Sequence, residues 1–193
     1  MIATALRHSR WSLVALTATA ALAGCNDDDR SAFAPSEPME LPAIAAARGP
    51  SLGRCTDIAA PAGSKLVYHV YAEGVQIYKW NGTSWAPQGP SATLYSDAAR
   101  TTKVGTHYAG PTWESNGGSI VVGKLNTPCE VSSADIPWLL LDATRSAAFG
   151  VFRDVTSIQR VNTAGGRAPS DPGIVGETRN VAYTAEYFFY RAS

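Results

Sequence analysis

The chain has 193 residues, 45% hydrophobic and 17% charged, with 16 basic and 16 acidic side chains. That length supports one domain with a real core, and the composition excludes collagen, coiled coil and charge-driven disorder. A net charge of zero argues against a nucleic-acid partner, which a protein holds by neutralising phosphates. The first element in chain order reads as an export signal over residues 1–24. Arg7 and Arg10 form a positive n-region around His8, and an uncharged, mostly apolar run follows from Trp11 to Ala23. A membrane-spanning helix needs about 20 apolar residues, so this run is short for a span and right for a signal h-region.

The run ends in Leu22-Ala23-Gly24-Cys25, which resembles the bacterial lipobox. In that motif small residues precede a cysteine that is diacylated and becomes the new N-terminus, so the expected partner is a membrane, reached through lipid on Cys25. The competing reading is an ordinary signal peptide with an incidental cysteine. Acyl chains at about 0.8 kcal/mol per buried CH₂ anchor a protein stably once two or three are present. Removing 24 residues from 193 leaves 169, with 14 basic and 16 acidic side chains and a charge of −2. Asn26-Asp27-Asp28-Asp29 is similar to inner-membrane retention signals, but Asn26 stands where that rule asks for Asp, so the two bacterial membranes are not distinguished.

A lipidated tether is expected over residues 25–54. It is rich in Ala, Pro, Ser and Asp and has no sustained period, apart from a short helical turn suggested at Pro42–Arg48. A flexible chain of this length spans about 30 Å, which would hold a domain near the lipid surface without placing it there. With Cys25 acylated, Cys55 and Cys129 remain, 74 residues apart, and two cysteines can pair in an oxidising periplasm. Loop-closure entropy gives such a bond about 4 kcal/mol. The alternative is two buried free thiols.

Residues 55–193 read as all-β, a single-domain antiparallel sandwich or barrel. Lys65–Ala72 is dense in β-branched and aromatic residues, Glu73-Gly74 breaks it, and Val75–Trp80 resumes. Asn81-Gly82 is a type I′ hairpin signal, with Thr83-Ser84-Trp85 starting the return. Further strands are expected at Ala92–Tyr95, Val104–Tyr108, Ser119–Leu125, Trp138–Ala143, Gly150–Thr163 and Asn180–Arg191. The last carries apolar residues on both faces and reads as a central strand. No stretch of the domain has a helical stripe, and many short strands with Gly, Pro and Asn punctuation mean a sandwich or barrel.

Chemistry is sparse. There is no Walker A loop, G-x-G-x-x-G, C-x-x-C or H-E-x-x-H, and no cofactor is implied. Gly49-Pro50-Ser51-Leu52-Gly53 matches G-x-S-x-G, but it lies in the tether and no His follows His107, so it is no nucleophile elbow. The domain's two histidines, His69 and His107, are weak metal candidates with Glu73 or Glu114. Hydrogen-bonded structural imidazoles are the competing reading. Val67, His69, Tyr71 and Glu73 share one strand face. Trp80, Trp85, Trp113 and Trp138, with Tyr68, Tyr71, Tyr78 and Tyr108, suit either a sugar-stacking platform or a β core, and Trp113, in a polar Gly/Pro segment, is the one expected to be exposed.

Five segments carry a family resemblance. They are Ala72–Tyr78, Gly105–Glu114, Ile136–Leu141, Ile158–Gly166 and Tyr183–Tyr190. In this order over residues 61–191 they resemble the family called domain of unknown function 3455, which implies an exported β-rich domain with no established activity. The resemblance also implies a Cys after the Gln-x-Tyr strand and another after Gly-Gly-x-Ala-Pro. This chain has Trp80 and Ser170-Asp171-Pro172-Gly173 there, consistent with one disulfide exchanged for another. The family's Asp-Gly-Ser turn reads Gly117-Gly118-Ser119, which removes a carboxylate.

Three functions follow. The preferred one is a lipid-anchored envelope module that binds a small molecule or glycan, without metal, on a rim formed by His107, Trp113 and Glu114, with Gln76 and Tyr78 as lesser contacts. The others are a hydrolase or metalloenzyme using His107 with Glu114 or His69, and a structural envelope protein without a small ligand.

Overall fold

The computed structural model describes residues 48–193. The export signal, Cys25, the tether up to residue 47 and all but the last residue of the suggested helical turn lie outside the described residues. After a single 3₁₀ turn at Thr56–Ile58 come eight strands: β1 (Lys65–Trp80), β2 (Trp85–Tyr95), β3 (Lys103–Tyr108), β4 (Thr112–Ser115), β5 (Ile120–Cys129), β6 (Trp138–Ser146), β7 (Ser157–Gly165) and β8 (Thr178–Arg191). Each pairs antiparallel with the next, and β8 returns to pair with β1, so the sheet is a closed up-and-down barrel rather than a sandwich. Closure leaves no full strand edge for a second chain to template on.

β1 runs unbroken through Gly74, where the sequence suggested a break. A Cβ at Gly74 would lie 2.2 Å from the Ser91 carbonyl oxygen and 2.4 Å from the Ala92 Cα, so glycine permits a close backbone approach inside one long strand. β2 extends back to Trp85 and includes Pro87 and Pro90. It pairs with β3 only from Ser91 onward, so both prolines sit on a stretch whose far side has no ladder to lose. The polar Gly/Pro segment that holds Trp113 continues the expected strand Val104–Tyr108 into a hairpin of β3 and β4. The expected strand Gly150–Thr163 begins only at Ser157.

Side chains alternate cleanly across the wall. Val70 and Ala72 of β1, Leu141 of β6, Ile158 of β7 and Tyr183, Ala185, Tyr187 and Phe189 of β8 fill the interior. At the end that carries the β2–β3, β4–β5 and β6–β7 connections, Phe152 and Val155 of the last loop close the barrel against Phe189 and Tyr68. The opposite face of the same strands makes a second apolar layer outside the barrel. There Leu140, Val161, Phe188 and Tyr190 are covered by Cys55 and Ile58, with Leu52 packed alongside. This explains why β8 is apolar on both faces: one faces the interior and the other lies under the strap that precedes β1.

The strap is pinned three ways. Cys55 is disulfide-bonded to Cys129 at the end of β5, with Cα atoms 5.8 Å apart. The buried Gln159 amide donates to the Ile58 carbonyl at 2.6 Å and accepts from the Tyr190 hydroxyl at 2.6 Å. Arg54 donates to the carbonyls of Glu130 and Val131. The expected tether boundary at Arg54 therefore falls inside the packed unit, because Leu52 already touches the outer layer.

The positions where the family resemblance implied a cysteine pair are joined by aromatic packing. Trp80 meets Trp85 edge-on at 5.4 Å, and the Trp85 indole N–H donates to the Asp171 carbonyl. Arg179 lies over Trp85 at 4.8 Å and pairs with Asp171. No helix among the described residues is long and apolar enough to cross a membrane.

Candidate functional site

The β1–β2, β3–β4, β5–β6 and β7–β8 turns share the other end of the barrel, and there the interior is not filled. A cavity of about 180 Å³ lies between β2, the β3–β4 turn and β6. Its walls are Pro90, Pro111, Trp113, Leu139 and Leu141, and its polar groups are Gln76, His107, Arg160 and Tyr187. It arises where β2 continues past the end of β3, so Gly89 and Pro90 border an opening instead of a neighbouring strand. A larger, open concavity of about 380 Å³ beside the β6–β7 loop offers only Arg153 and Arg191 as charged groups.

His107 and Trp113 lie directly opposite one another in the β3–β4 hairpin, so both point into the barrel. Trp113 is 1% exposed and His107 3%, and their rings stack at 4.3 Å with 8° between planes. This overturns the expected exposure of Trp113. Glu114, one residue on, faces outward opposite Thr106 and accepts a hydrogen bond from the Tyr108 hydroxyl at 2.9 Å. The expected set His107, Trp113 and Glu114 is thus split across the wall. Sequence held the signal for this: 107 and 113 are placed evenly about Gly110, which puts them on one face of a tight hairpin.

The His107 imidazole is buried, and that holds its pKa down to about 3; the hydrogen bond to Thr112 opposes the shift and the Arg160 charge adds to it. The Nδ1–H donates to the Thr112 carbonyl at 2.8 Å, so Nε2 carries the lone pair and is an acceptor. Gln76 also faces inward, 8% exposed, and its amide nitrogen has no hydrogen-bond partner among the described residues. The same holds for the Trp113 indole nitrogen. Tyr78 points inward too, but its hydroxyl is used, donating to the Gly166 carbonyl at 2.7 Å. Tyr187 stands edge-on to His107 at 5.0 Å and to Trp113 at 5.2 Å. Burial raises the phenols of Tyr183 and Tyr187, so both stay neutral, while the Arg160 charge opposes the rise.

Sequence reasoning named His107, Trp113 and Gln76 but missed Arg160 and Tyr187. Arg160 lies two residues after the interior residue Ile158 along β7 and so shares its face, and a charged residue on that face is the signal that marked it. Its Nε and Nη2 donate to the Pro137 carbonyl at 3.1 and 2.8 Å.

His69 lies on the outer face, away from this cavity. It stacks on Phe188 at 3.9 Å and bonds Glu186 through Nε2 at 2.8 Å. Burial lowers its pKa more than Glu186 raises it, so the contact is an N–H of neutral imidazole donated to a carboxylate. Asn162 donates to the other Glu186 oxygen. His69, His107 and Glu114 therefore do not converge, Glu73 is engaged by Arg100 instead, and no group of three His, Cys, Asp or Glu is gathered among the described residues.

Fold and site together define an up-and-down eight-stranded β-barrel protein, plugged by aromatics at one end and hollow, with polar groups, at the other. The chain belongs to the family described as a protein of unknown function, domain of unknown function 3455, whose model matches residues 61–191. The match starts beyond Cys55 and Ile58, so the strap lies outside it. Neither the curated proteins nor the solved structures contain a match to the chain.

Proposed function

We propose that the protein is a lipid-anchored envelope protein that binds one compact small molecule inside the open end of its barrel. The observation that carries this reading is that two residues lining a single cavity, Gln76 and Trp113, each hold a buried N–H with no hydrogen-bond partner among the described residues. Buried polar groups are normally hydrogen-bonded, and leaving one unpaired costs about 1–3 kcal/mol, so donors kept unpaired beside a hole are explained by a ligand that pairs them. About 180 Å³ holds roughly one ring, since a cavity of about 150 Å³ takes benzene. A compact molecule fits this space and a glycan chain does not.

Single-ring compounds screened by NMR should shift resonances of Gln76, His107 and Tyr187, and Leu139→Trp, which fills the cavity, should abolish the response. Absence of any response, or a response unchanged by Leu139→Trp, would refute the site. The anchor rests on Arg7, Arg10, the short apolar run and Leu22-Ala23-Gly24-Cys25. Cys25→Ser should release the protein from membranes, and unchanged detergent partitioning would refute that part.

A further inference from the structure

We infer that the ligand is a carboxylate on a single apolar ring, its anionic head received by Arg160 and Gln76. This deepens the binding reading above and rests on it. The head is identified by an imbalance of charge and of hydrogen-bonding groups. Arg160 lines the cavity, and among the described residues its partners are neutral: it donates twice to the Pro137 carbonyl and is directed at the Tyr187 hydroxyl. No carboxylate lies within ion-pair distance of it among the described residues. A guanidinium has five N–H groups; two go to Pro137 and one is directed at Tyr187, so two remain, and a cation in a partly desolvated site calls for an anion.

The neighbouring groups agree in sign. The Gln76 amide and the Trp113 indole each present an unpaired N–H, and Tyr187 adds a neutral hydroxyl. No lining residue is anionic: the acceptors beside the cavity are neutral, His107 Nε2, whose Nδ1–H is committed to Thr112, the Gln76 amide oxygen and the Tyr187 hydroxyl. A planar carboxylate matches the Arg fork and accepts from a third donor without itself bringing a hydrogen. The rest of the wall is apolar: Pro90, Pro111, Leu139 and Leu141, with the Trp113 ring. Inorganic phosphate would leave that wall facing water, so the body of the ligand is a ring.

The probes are benzoate, cyclohexanecarboxylate and inorganic phosphate, with benzamide and cyclohexanecarboxamide as neutral matches, titrated into the whole protein by calorimetry and NMR. The carboxylates should bind at least about tenfold more tightly than their amides, since a charge-assisted hydrogen bond exceeds a neutral one by that order. Phosphate should bind more weakly than either acid. Arg160→Gln should erase the preference for acid over amide. Because Arg160 also holds Pro137, Gln76→Leu is the second variant. It removes an unpaired buried amide, so it should fold at least as well as the parent, with an equal or higher melting temperature, yet lose carboxylate affinity. If acids and amides bind equally, the anionic head is wrong and the cavity reading stands. If no ring compound of either kind binds, both fall. Tight binding of phosphate alone would also overturn the carboxylate.

Discussion

Trp113 is the residue whose substitution separates a buried interior from an exposed rim most sharply. It is 1% exposed and packs on His107 at 4.3 Å, Tyr187 at 5.2 Å and Phe189 at 5.8 Å. A Cβ on Gly123 would stand 3.1 Å from its ring, so β5 gives it room only because residue 123 is glycine. Truncating a fully buried Trp to Ala costs about 3–5 kcal/mol. The upper part of that range applies here, because the hole would merge with a cavity that already exists and the closed barrel cannot collapse to fill it. Trp113→Phe keeps a ring on His107 and removes the indole N–H that has no acceptor. Relief of about 1–3 kcal/mol from that orphan offsets most of the lost contact area, so the net cost should stay within about 1 kcal/mol. Urea melts followed by far-UV circular dichroism measure both, since Trp fluorescence would be altered by the substitutions themselves. A cost below about 1 kcal/mol for Trp113→Ala would refute the buried stack, and equal losses for Ala and Phe would show that the indole N–H has a partner.

Three further outcomes follow from the same geometry. Non-reducing peptide mapping should join Cys55 to Cys129, and reduction should lower stability by about 4 kcal/mol for a 74-residue separation. The native His107 pKa is depressed below its unfolded value, so the folded state binds fewer protons and its stability is full above about pH 6.5 and lost as pH falls towards 3. Melts between pH 7.5 and 5 should show a slope approaching about 1.4 kcal/mol per pH unit that flattens in His107→Gln. Gln159→Leu leaves the Ile58 carbonyl and the Tyr190 hydroxyl unpaired beneath the strap and should cost about 2–4 kcal/mol in denaturant melts, against near zero if the strap is loosely held.

The strands were legible because β-branched and aromatic runs are bounded by Gly, Pro and Asn, and because two cysteines were left to pair. Closure into a barrel was not, since alternation fixes which side chains share a face but not whether the last strand meets the first. Gly74 misled for a definite reason: glycine marks a strand break and a close strand crossing alike, and only the position of Ser91 and Ala92 distinguishes them. The site was half readable. His107, Trp113 and Gln76 stood out by chemistry, but Glu114 was joined to them by nearness in sequence, which in a hairpin says nothing about the face. Arg160 carries an isolated charge on an apolar strand, and its meaning depends on β7 lying across the barrel from β3 and β4, a non-local fact.

The strap under its disulfide also decides how the domain answers to mechanical load. With Cys25 in a membrane as proposed, any pull on the domain arrives along the chain through Arg48 and Leu52. It meets Cys55 before it reaches β1, and the cross-link passes the tension to Cys129 at the end of β5. β1, laddered to β8 from Lys65 and to β2 only from Tyr71, is shielded while the bond is intact. Once the bond is reduced the same pull meets only the hydrogen bonds of Arg54 and Ile58 before it reaches β1 at Lys65, on the barrel's closing seam with β8. The redox state of one bond thus sets how much of a pull on the N-terminal strap reaches β1.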